Sequence, residues 1–94
     1  MNLNEVPAEY ALGQNYPNPF NPQTIITYSL PDAGSVTLRV FNVIGQEVAT
    51  LVNGVKEAGH HQVVFDASGM SSGLYLYLIQ VNGFTASRRM LVLK

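Results

Sequence analysis

Cysteine is missing from all 94 residues. That excludes a disulfide framework, a thiolate zinc site and a cysteine nucleophile. Charge is scarce as well: charged side chains make up 12% of the chain, with a net charge of −1, against roughly 25% charged residues in an average soluble protein. No basic stripe exists to neutralise phosphates, so nucleic acid is not an expected partner. No apolar run approaches the ~20 residues of a membrane-spanning helix. The opening Met1-Asn2-Leu3-Asn4-Glu5 has neither the basic start nor the apolar middle of a signal peptide, so any such export address is expected elsewhere. Helical periodicity is also absent, since apolar residues nowhere recur at helical spacing over three turns.

What remains is a chain of short alternating runs separated by Gly, Pro, Asn and Asp, rich in β-branched and aromatic residues, which argues for an all-β fold. Apolar residues amount to 47%, enough for one core, and 94 residues make one domain whose stability margin is thin. Residues 1–9 read as a linker and 10–94 as the domain. Tyr10 and Leu12 begin an extended edge segment. Pro17, Pro19 and Pro22 cannot donate to a ladder, so this segment reads as a stiff loop. Thr24–Leu30 alternates, with Ile26, Tyr28 and Leu30 expected inside. Pro31-Asp32-Ala33-Gly34 is a turn, after which Val36, Leu38 and Val40 face inward.

Gly45 closes the next turn and is expected at positive φ. Gln46–Val52 follows as a strand. There Val48 and Leu51 break parity, which places a bulge near Ala49 or Thr50. Asn53-Gly54 and Gly59 read as turns. Val63 and Phe65 point inward on His60–Asp66, and a polar loop surrounds Met70. Leu74–Val81 is the most apolar strand, and Asn82-Gly83 closes a tight hairpin with Phe84–Leu93. About seven strands at this spacing predict an antiparallel β-sandwich, immunoglobulin-like or fibronectin III-like, rather than a closed barrel.

Candidate chemistry is sparse. His60 and His61 point to opposite faces of one strand, so they do not share a metal without a kink. With no further His or Cys, no metal site is expected. Asp66 reads as a turn cap. The carboxylates show no acid/base pairing, and no serine sits in a nucleophile elbow. No catalytic residue and no cofactor is therefore expected. Tyr75 and Tyr77 share a face. They form either an aromatic platform for sugar or peptide, or a buried pair with one phenol bonded back to the backbone; the second reading is preferred. Leu74, Leu76 and Leu78 occupy the opposite face, with Leu91 and Leu93 on the paired strand. Both faces of the C-terminal hairpin are thus apolar, where one should be wet. The outer face is expected to dock the preceding domain, a secretion component or a second copy, the last giving a homodimer through this hairpin.

Several stretches carry a family resemblance. They are Gln14-Asn15-Tyr16-Pro17-Asn18-Pro19-Phe20-Asn21-Pro22 with the strand after it, Arg39-Val40-Phe41-Asn42-Val43-Ile44-Gly45-Gln46-Glu47-Val48, Phe65-Asp66, and Ser72-Gly73-Leu74-Tyr75-Leu76-Tyr77. The chain ends Arg88-Arg89-Met90-Leu91-Val92-Leu93-Lys94. In order and spacing they resemble the type A C-terminal sorting domains of the type IX secretion system, and the immunoglobulin-like domain of flagellar hook-capping proteins. The resemblance implies a secretion signal on a cargo protein, recognised by an outer-membrane translocon. It also implies removal by a sortase-like peptidase that attaches the cargo to a surface glycolipid, with cleavage near residues 1–10. The product is secreted or surface-bound. The resemblance puts weight on Pro17, Asn18, Pro19, Gly45, Gly73, Tyr75 and Lys94. Arg89 stands where many relatives carry Lys, and Leu78 where many carry a charge. The alternative is an accessory domain that binds carbohydrate or spaces a catalytic domain.

Overall fold

The computed structural model describes residues 6–94. Seven strands form in chain order: β1 Ala11–Leu12, β2 Gln23–Leu30, β3 Gly34–Phe41, β4 Glu47–Lys56, β5 Gly59–Asp66, β6 Gly73–Val81 and β7 Phe84–Val92. They build two antiparallel sheets, ordered β1-β2-β5 and β4-β3-β6-β7. These pack face to face as the immunoglobulin-like sandwich that the alternation predicts. Of the linker reading, residues 1–5 lie outside the described residues, and residues 6–9 form no strand.

Alternation decides which side chains fill the space between the sheets. Ile26 and Leu30 of β2, Val36, Leu38 and Val40 of β3, and Tyr77 and Ile79 of β6 are completely buried. Met90 and Val92 of β7 and Phe65 of β5 close the same core. Val63 is only half-buried, at the rim. The Phe20 and Phe65 rings meet edge to face at 6.1 Å between centroids, an arrangement that adds to their area burial. The β6–β7 hairpin turns on Asn82 (φ 48°) and Gly83 (φ 82°), both left-handed as a type I′ turn requires.

Strand β4 departs from expectation twice. Its pairing with β3 slips at two places. Leu51 is the extra residue between the pairs Leu38↔Val52 and Arg39↔Thr50, and Val48 the extra one between Val40↔Ala49 and Phe41↔Glu47. The single bulge expected near Ala49 or Thr50 is therefore two bulges, on the residues that break parity. Asn53-Gly54 is not a turn. Both residues pair with β3, as Thr37↔Asn53 and Val36↔Gly54, because β3 runs on to Gly34 and offers a ladder that outweighs the local turn preference. The chain reverses after Lys56, entering β5 at Gly59 (φ 143°).

Candidate functional site

The proline loop is stitched to the last strand. Phe20 is 3% exposed and forms a parallel bridge with Val92. Its N–H donates to the Leu91 carbonyl and its own carbonyl accepts from the Leu93 N–H, both at 3.0 Å. The Asn18 side-chain oxygen accepts from the Leu91 N–H at 3.0 Å, and the Gln14 side-chain amide donates to the Arg89 carbonyl at 2.7 Å. The Pro17 carbonyl accepts from the Thr24 hydroxyl at 2.8 Å and from the Asn15 side chain at 3.2 Å. Pro19 is exposed between Asn18 and the anchored Phe20. Together these bonds seal the edge of β7 with a loop whose prolines limit its freedom before folding.

Tyr75 and Tyr77 are both buried, which removes the aromatic platform. The Tyr75 hydroxyl donates to the Ser71 carbonyl at 2.9 Å, four residues upstream in the loop ahead of β6, as a tyrosine corner does. Tyr77 makes a second, longer-range anchor: its hydroxyl donates to the Gly13 carbonyl at 2.7 Å and accepts from the buried Asn15 N–H at 2.8 Å. Burial pushes the Tyr77 phenol above its ordinary value. Sequence reasoning expected one bonded phenol and found no role for Gln14, Asn15 or Arg88. The Arg88 Nε donates to the Leu12 carbonyl at 2.6 Å. Each of the three has a partner on a segment remote in sequence, at Arg89, Tyr77 and Leu12, and no local pattern marks that.

Gly45 (φ 84°) and Gly73 (φ 149°) both sit at positive φ. A Cβ would meet nothing within 4 Å at either position. Backbone conformation, not crowding, therefore selects glycine at both positions. Lys94 is bonded across the loop between β5 and β6. Its Nζ donates to the carbonyls of Ala67 (2.9 Å) and Ser68 (2.8 Å), and its N–H to the Ser72 hydroxyl (2.8 Å). Asp66 caps the adjoining turn by accepting the Ser68 N–H at 2.8 Å and the Ser68 hydroxyl. These bonds, then Gln23 and the nearby Lys94 charge, hold its carboxyl below the usual carboxylate range. His60 is exposed and bonded to the Ser29 hydroxyl at 3.0 Å, whereas His61 stacks on Tyr28 at 5.1 Å.

Leu76 and Leu78 are half-buried on the outer face of β6 and line a shallow groove with Phe41 and Val43. Leu74 (41% exposed) pairs with Leu91 beside them. The groove is rimmed by the Arg39–Glu47 ion pair (3.4 Å) and by Arg89, which stands opposite Leu76. The exposed Val43 and Ile44 (73%) extend the apolar area across the β3–β4 turn.

No curated protein and no solved structure matches the chain. A family model described as the secretion system C-terminal sorting domain matches residues 14–93, a stretch that takes in the proline loop, both tyrosines, the outer groove and β7. The chain belongs to that family: it is a type IX C-terminal sorting domain, a signal that marks its carrier for export to the cell surface or the medium.

Proposed function

We propose that the export machinery reads this domain in its folded state, through the apolar outer face of the β4-β3-β6-β7 sheet and the proline loop that borders it. The observation that carries this reading is the run of Phe41, Leu74, Leu76, Leu78 and Leu91 on a face that an antiparallel sheet normally gives to water. A contiguous apolar patch with a charged rim is the anatomy of a protein contact. In this role Pro17, Asn18 and Pro19 present a rigid border, Leu76 and Leu78 supply contact area, and Arg89 sets charge at the rim. Gly45, Gly73, Tyr75 and Lys94 hold the turns that keep the face in shape. The outer-membrane translocon binds this face, and the sortase-like peptidase cuts in the linker ahead of the domain that begins at Tyr10.

The test is a fusion of the chain behind a periplasmic reporter in a host with the type IX system. The wild-type fusion is expected in the medium or on the surface. The Leu76→Thr/Leu78→Thr fusion is expected to stay in the periplasm while the purified domain keeps its melting temperature within a few degrees, since both leucines face outward. Export of the double variant at the wild-type level overturns the reading.

A further inference from the structure

A two-sheet sandwich has four edges, and each exposes unpaired backbone unless something blunts it. Three of the four are blunted here. Strand β1 is two residues long. Strand β4 carries two bulges and ends in Lys56. Along the C-terminal half of β7 and just past it, the Arg89 carbonyl, both Leu91 backbone groups and the Leu93 N–H are already taken by Gln14, Asn18 and Phe20. Strand β5 has none of these devices. It runs eight residues from Gly59 to Asp66, pairs with β2 without a register shift, and contains no Pro, Lys or Arg. Among the described residues no strand pairs with its outer side.

The geometry of that edge is specific. The Ala67 N–H donates to the Pro22 carbonyl at 2.8 Å, in the register that continues β2–β5. Odd-numbered residues of β5 therefore spend their backbone groups on β2. His60, Gln62, Val64 and Asp66 aim theirs outward, and all four are exposed. Such a row is a ready template for an extended backbone segment.

We propose that it takes a second copy of itself, antiparallel, with the two-fold axis at Val63. That register sets Gln62 opposite Val64 and His60 opposite Asp66 of the second copy, each pair exchanging two hydrogen bonds. The strand's one acidic side chain then meets a histidine at both ends. Shifting the axis to Gln62 would instead put His60 opposite Val64 and leave Asp66 without a partner in the other strand. His60 bonds Ser29 through Nδ1, which leaves Nε2 for the carboxylate. Asp66 Oδ2 accepts only a 3.3 Å bond from Gln23 and has a lone pair to spare. The two three-stranded sheets become one six-stranded sheet, and the groove proposed for export stays free on the other face. The association is concentration-dependent, since an edge contact is smaller than a standard interface.

Sedimentation velocity on the purified chain tests this without any secretion component. The weight-average mass should rise from 10.3 kDa toward twice that value between about 10 µM and 1 mM, the range of a weak, transient interface. Val64→Pro removes an outward N–H that β2 does not use, and should remain monomeric. His60→Asp and Asp66→His, each alone, place like or mismatched groups opposite one another and should weaken self-association about tenfold. Mixed together, these two variants should pair with each other at the wild-type level, which decides the matter even if the proline variant fails to fold. A wild-type monomer at 1 mM overturns the proposal, as it would if the edge served a strand of another protein. So does a dimer that survives Val64→Pro folded, or one that Leu76→Thr/Leu78→Thr abolishes.

Discussion

The Tyr77 hydroxyl binds a carbonyl and an N–H from the segment ahead of β2, at Gly13 and Asn15. The Asn15 N–H is buried with it, so Tyr77→Phe leaves a donor without a partner rather than merely deleting a bond. An unsatisfied buried donor costs about 1–3 kcal/mol, more than the net worth of an ordinary hydrogen bond. Tyr77→Phe should therefore lower the urea midpoint by that free energy with an unchanged slope. An unchanged midpoint would mean that water satisfies the group. Period-two alternation made the inward direction of Tyr77 legible in the sequence. Its partners, more than 60 residues away, were not, because nothing in a local window says which loop will cross over a strand. Tyr75 is the contrasting case: its partner Ser71 lies four residues upstream, within reach of the tyrosine-corner pattern.

Among the elements, β2, β3 and β6 were readable because alternation and burial agree along their length, as in Ile26, Tyr28 and Leu30 on one face of β2. Strand β4 was only partly readable. Two glycines with similar local signals proved different: Gly45 closes a turn, while Gly54 pairs inside a strand. Gly54 is held by a tertiary ladder with β3, whereas Gly45 is held by local bonds to Asn42. Asn42 accepts the Ile44 and Gln46 N–H groups with one side-chain oxygen, at 3.2 and 3.0 Å. The Gly45 N–H returns to the Asn42 carbonyl at 3.0 Å, so the turn admits only the left-handed backbone. A β-branched side chain there costs about 1–3 kcal/mol, and Gly45→Val should lower stability by that amount in a denaturant titration. The same substitution at Gly54, where a Cβ meets nothing within 4 Å and φ is ordinary, should leave stability unchanged or raise it. Equal losses at both sites would show that the turn tolerates another conformation. The docking of Phe20 onto β7 lay outside sequence reasoning for the same tertiary reason, although the three prolines did mark the loop.

At the scale of the whole domain, a net charge of −1 produces little self-repulsion, so the dependence of stability on pH falls to particular groups. Asp66 has its folded pKa lowered by the Ser68 hydroxyl, the Ser68 N–H and Gln23. As pH falls, the unfolded chain takes up this proton first. The contribution of Asp66 is thus complete above the ordinary carboxylate range and is lost as pH drops toward the lowered folded value. Tyr28 and Tyr77 have theirs raised by burial. As pH rises the unfolded chain loses these protons first, so their contribution is complete below the ordinary phenol range and is lost above it. Melting temperature should therefore form a plateau through neutral pH with an acid limb and an alkaline limb. Asp66→Asn should flatten the acid limb and leave the alkaline one, while Tyr28→Phe, which keeps the ring stacked on His61, should do the reverse. An acid limb of full steepness in Asp66→Asn would move the proton uptake to another carboxylate and would separate the Ser68 turn, with Lys94 bound across it, from the acid stability of the fold.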